Sequence, residues 1–145
     1  MLHFLKSPYL KQDINSIESV QQRFTNHLPG FGKYTYRKGL ELLNLPSREL
    51  CRLYFDLSWA YKVIFGYVDM CSGDFFELRC TKTTRGHPYK LFKRQCTSTV
   101  RSSFFTERVV NIWNCLPCDT VDFSSLTAFK RTIKCVDFNG FLNFT

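Results

Sequence analysis

Residues 45–66 read LPSRELCRLYFDLSWAYKVIFG, and this stretch decides the fold class. Leu50, Leu53, Tyr54, Leu57, Tyr61 and Ile64 recur at three- and four-residue spacing, so they share one face of an α-helix. Leu45-Pro46-Ser47 precedes the run, and Gly66 stands where a helix-ending glycine belongs.

The same period extends in both directions. Upstream, Ile14, Ile17, Gln21, Phe24 and Leu28 fall at helix-face spacing, with Asp13 placed to cap and Pro29-Gly30 to end the run. A shorter helix is expected from a Thr35 cap through Tyr36, Leu40 and Leu43, weakened by Gly39. Downstream, helix returns at about Ser103, with Phe105, Val109, Ile112, Trp113 and Leu116 on one face until Pro117. Trp113 is expected to be a core anchor against the face of the Leu50–Ile64 helix. Phe104 and Phe105 must point in different directions on a helix, so at most one of them is core. A last helix, capped by Ser124 or Ser125, presents Leu126, Phe129, Ile133 and Val136. The expected fold is mainly α, a small helical domain with an irregular basic loop between the central and C-terminal helices. Its expected layout is an N-terminal extension over 1–12, a helical region over 13–137 and a tail over 138–145.

A chain of 145 residues supports one domain, and 44% apolar with 22% charged residues is ordinary globular composition. No apolar run approaches the ~20 residues that span a bilayer, and Met1 to Lys6 does not open a signal peptide. The expectation is an intracellular protein, cytoplasmic or nuclear, with no membrane partner. Seven scattered cysteines, an odd count without an export signal, argue for reduced thiols. Cys115 and Cys118 are the only close pair, and no second pair completes a four-ligand zinc site. No metal or other cofactor is therefore expected.

Charge is concentrated where the helical period fails. Between Arg79 and Arg108 stand eight Lys or Arg against one acid, Glu107, so this stretch carries seven of the chain's eight excess positive charges. Tyr89, Phe92, Phe104 and Phe105 are interleaved with them. Basic residues among aromatics suit a surface that tracks phosphates with stacking or packing aromatics, and a basic solvated loop on a globular domain is the alternative that charge alone leaves open. The candidate binding residues are Arg85, His87, Lys90, Lys93, Arg94, Arg101 and Arg108, and the expected partner is an RNA or DNA backbone. In Arg85-Gly86-His87 the glycine permits a positive-φ turn, while its two neighbours are able to donate to a phosphate.

Several motifs occur in a serial order that resembles the region downstream of the reverse transcriptase in non-LTR retrotransposon polyproteins. They are Val20-Gln21-Gln22-Arg23-Phe24-Thr25, Leu28-Pro29-Gly30, Tyr36, Leu43-Asn44-Leu45-Pro46-Ser47 and Asp56-Leu57. Tyr61 to Gly66, Val68-Asp69 and Asp74-Phe75-Phe76 continue the series. The most specific are Thr84-Arg85-Gly86-His87 with Lys90-Leu91, Arg101 with Phe104-Phe105, Arg108-Val109-Val110, Trp113-Asn114 and Leu116-Pro117. Ser125 and Phe129-Lys130-Arg131 close it. The lineage resembled is that of chicken-repeat and jockey-like elements, over residues 13 to about 137. Gly39 and Cys51 depart from arginines common in that family, and Cys115 and Cys118 from its Ser and Glu.

The resemblance implies descent from an RNA-directed DNA polymerase polyprotein without its activity, because the polymerase and endonuclease motifs lie upstream. It implies an accessory module that helps hold RNA or DNA. Two rivals stand beside it: a protein-interaction piece that packs on a reverse transcriptase core, and a truncated relic of an insertion, which a start at Met1 suits. No small-molecule substrate is indicated. A polymerase palm needs adjacent carboxylates to hold two metal ions, and no two acids are adjacent in this chain. Purified protein should therefore give no magnesium-dependent primer extension; extension that survives removal of contaminants would contradict this reading.

Overall fold

The computed structural model describes residues 11–69, 71–79, 86–95, 97–98 and 104–142. Among them lie six α-helices: α1 (Lys11–His27), α2 (Tyr36–Leu43), α3 (Arg48–Ile64), α4 (Ser72–Phe75), α5 (Phe105–Asn114) and α6 (Leu126–Thr132). Two 3₁₀ turns, Ile133–Cys135 and Asn139–Phe141, follow α6. The fold is mainly helical. The chain divides into two compact units, one built from Pro8–Leu53 and the other from Tyr54–Phe141.

In the first unit, α1 turns a different face inward from the one its apolar spacing suggests. Ile14, Glu18 and Thr25 are buried, while Ile17 and Phe24 are exposed, Phe24 to 65%. The reason is Glu18, only 1% exposed. Its carboxylate accepts the Arg48 backbone N–H at 3.1 and 3.2 Å and the Tyr36 hydroxyl at 3.1 Å. One side chain of α1 thereby satisfies an orphan donor at the start of α3 and ties α2 to both. Burial pushes the Glu18 carboxyl up from its usual range, and the Tyr36 and Arg48 hydrogen bonds oppose that rise. Asp13 lies inside α1, not at its cap.

The other boundaries follow local chemistry. Thr35 caps α2 through Lys38 N–H at 3.4 Å, and Ser47 Oγ accepts from Leu50 N–H at 3.2 Å. Asn44, with φ +52°, ends α2 in the left-handed region. At the end of α3, Gly66 has φ +71°, and Tyr67 N–H donates to Lys62 O at 2.8 Å. Gly66 N–H donates to Val63 O at 3.4 Å. These two bonds form a Schellman motif, which requires a left-handed residue at Gly66.

The second unit packs around rings. Trp113 is fully buried, with Phe123 and Phe129 at centroid distances of 5.7 and 5.6 Å. The contribution of α3 is Tyr61, whose ring lies 4.7 Å from that of Phe129. The Tyr61 hydroxyl donates to Phe123 O at 2.8 Å. Leu57, Val63, Val109, Leu116 and Ile133 fill the remaining core. Phe105 is buried and Phe104 exposed, the division a helix imposes on neighbours. Ser125 caps α6 through Ala128 N–H at 3.2 Å. Phe138 is buried against Tyr54, so the packed region runs past residue 137 and takes in part of the expected tail.

Nothing lies within 4 Å of a Cβ built on Gly66, so a side chain there meets backbone strain without a clash. Gly66→Ala should lower stability by about 1–2 kcal/mol, and Gly66→Asn by less, in denaturant unfolding.

Candidate nucleic-acid interface

Among the described residues of the basic segment, the backbone around Leu91 is hydrogen-bonded on both sides. Leu91 faces Leu78 in an isolated antiparallel bridge. Arg79 N–H donates to Lys90 O at 2.8 Å and Phe92 N–H to Glu77 O at 2.7 Å. In an extended chain the intervening N–H and C=O point the opposite way. There they meet Asn114: Leu91 N–H donates to Asn114 Oδ1, and Asn114 Nδ2 donates to Leu91 O, both at 2.8 Å. The last residue of α5 thus stands in for a neighbouring strand.

Trp113 and His87 extend this hold. Trp113 Nε1 donates to Tyr89 O at 2.7 Å, and His87 Nε2 donates to Trp113 O at 2.8 Å. The His87 ring lies 4.8 Å from that of Phe123 and is 1% exposed. With Nε2 bearing the proton, Nδ1 is left buried without a partner. Burial is the main cause of a His87 pKa below the ordinary imidazole value; nearby Lys90 lowers it further, and the bond to Trp113 O opposes. Gly86 takes φ +105°, and a Cβ there would stand 3.2 Å from Lys90 Cε. Gly86 is therefore the turn that brings the Lys90 stem across the chain.

The candidate residues separate into three groups. Lys93 and Arg94 are exposed, and Lys90 is half-buried over Gly86. His87 is corrected: a side chain buried under the segment cannot reach a phosphate, and its role is to hold Trp113 O. Arg108 is corrected as well, because its Nε and Nη2 donate to Asp56 Oδ2 at 3.1 and 2.6 Å, with Asp56 buried. A cation matched to a buried carboxylate offers little net charge to a ligand. Arg85 and Arg101 lie outside the described residues.

Lys93 and Arg94 border a groove of about 840 Å³, lined also by Gln95, Thr97, Glu107, Arg108, Asn111, Ile112 and Phe141. Arg94 stands 3.8 Å from Glu77, with both side chains 60% exposed, a pair worth little in water. Phe92 and Phe104 are exposed aromatics of the same region. Phe141 and Asn111 are site residues that sequence reasoning missed; Phe141 lay in the expected tail, and Asn111 on an exposed helix position without a pattern. Among the described residues, no His, Cys, Asp and Glu side chains group to hold a metal ion. No described helix is long and apolar enough to cross a membrane.

No protein-family model, curated protein or solved structure matches this chain.

A buried imidazole kept neutral in the fold takes up a proton more readily once unfolded, near the ordinary pKa of about 6.5. The stability that His87 supplies is therefore complete above that value and lost as pH falls through and below it. Thermal unfolding should show the wild type losing stability from neutral to mildly acidic pH more steeply than His87→Gln, which keeps a donor for Trp113 O. Parallel pH profiles would contradict this.

Proposed function

We propose that this chain is an RNA- or DNA-binding accessory module without an active site of its own, related to the post-polymerase region of non-LTR retrotransposon polyproteins. The observation that carries the reading is the exposed pair Lys93 and Arg94, which follows Leu91, whose backbone Asn114 holds, and borders a groove. Fixed cations neutralise phosphates and release counterions, which makes such binding sensitive to salt and weakly dependent on sequence. The serial motif resemblance supports the same conclusion from an independent direction.

A second reading, a protein-interaction piece that packs on a reverse transcriptase core, is favoured by α1. Ile17, Val20 and Phe24 follow one another at helix spacing and are all exposed, Val20 to 67%. The two readings differ in their response to salt, because apolar packing releases no counterions.

The test is affinity for RNA and DNA measured across salt concentrations. Lys93→Ala with Arg94→Ala should weaken binding to all sequences alike and reduce the log–log salt slope by about 0.7–0.9 per lost phosphate contact. Arg37→Ala with Lys38→Ala, an exposed pair on α2, should do much less. Equal losses from both pairs, or no binding at low salt by the unmodified chain, would contradict the proposal.

A further inference from the structure

We propose that the groove beside residues 93–97 takes a single-stranded nucleic acid, with its backbone along Lys93 and Arg94 and a base stacked on Phe141. This deepens the nucleic-acid reading and rests on it. The argument is the uneven chemistry of the groove's lining. Its exposed cations, Lys93 and Arg94, both come from the basic segment, and the Arg94 pairing with Glu77 at 3.8 Å is solvent-exposed and weak. The residues that α5 contributes are Glu107, Arg108, Asn111 and Ile112. Arg108 is spoken for by Asp56 at 2.6 Å, and Glu107 repels phosphate. The helix side therefore disfavours a sugar–phosphate backbone and favours what a base offers.

Asn111, Glu107, Ile112 and Phe141 each match a part of a base. Asn111 carries an amide with a donor and an acceptor, the pair that reads a base edge. Glu107 accepts from an exocyclic amine. Ile112 gives an apolar floor, and Phe141, a residue 40% exposed, supplies an aromatic ring. The Phe141 backbone closes the last 3₁₀ turn, its N–H donating to the O of buried Phe138 at 2.9 Å. Single-strand sites pair a positive track with aromatic platforms in this way, and a paired base inside a duplex has no free face to offer. A volume of about 840 Å³ is enough to seat a base or two.

The experiment compares short oligoadenylate, oligodeoxyadenylate and a mixed-sequence duplex of equal length on the full chain. Phe141→Ala should weaken binding of both single strands roughly tenfold, the loss of one base–aromatic stack, and leave the duplex nearly unchanged. Phe141→Tyr, which keeps the ring, should retain wild-type affinity, and circular dichroism should show native helix content for both variants. The inference is overturned if Phe141→Ala weakens duplex and single strands equally, or weakens neither while Lys93→Ala with Arg94→Ala still weakens both. If the Lys93 and Arg94 changes are also without effect, the nucleic-acid reading itself falls.

Discussion

Residues 87–91 of the basic segment are held by the end of one helix. Trp113 and Asn114 close α5, and their side chains bond to Tyr89 O and to both backbone groups of Leu91. A run with so much like charge resists being laid down as a compact strand. Two side chains that each match backbone donors or acceptors, one of them anchored in an aromatic core, offset that resistance. His87 completes the arrangement from the segment's side by donating to Trp113 O. Removing Asn114 would leave the Leu91 N–H and C=O unpaired at a part-buried position, a cost that falls on the segment and not on the helices.

The first unit depends on a comparable device with the opposite electrostatic sense. Glu18 is a buried carboxylate that accepts from the Arg48 backbone N–H and the Tyr36 phenol, with backbone hydrogen bonding from Glu49 beside them. Desolvation raises its pKa, so it favours the folded state more as pH falls, while His87 favours it less. The two buried groups pull the acid side of the stability profile in opposite directions, each within its own unit.

How much of this was legible beforehand differs by element. The helices were readable because an amphipathic period survives in Leu50 to Ile64 and in Phe105 to Leu116, and because Thr35, Ser125 and Gly66 have local geometric reasons to end or begin a helix. The inward face of α1 was not readable, since a carboxylate won the buried position over Ile17 and Phe24 through bonds to residues far along the chain. The same distance hid the pairing of Asp56 with Arg108. Within the basic stretch, composition put Lys93, Arg94 and His87 together as candidates, and only the fold shows that the first two are exposed while His87 is buried. Phe141 gave no signal because its place in the groove depends on the turn after Phe138.

The functional reading holds that the order of the segment, and not its charge alone, makes the site. The most direct test is the affinity of Asn114→Ala for nucleic acid, since this change removes no charge. If order matters, affinity should fall and the Leu91 amide should exchange faster with solvent, with helix content retained. Unchanged affinity alongside faster exchange at Leu91 would mean that the cations act as a loose basic run, and would contradict the interface described above.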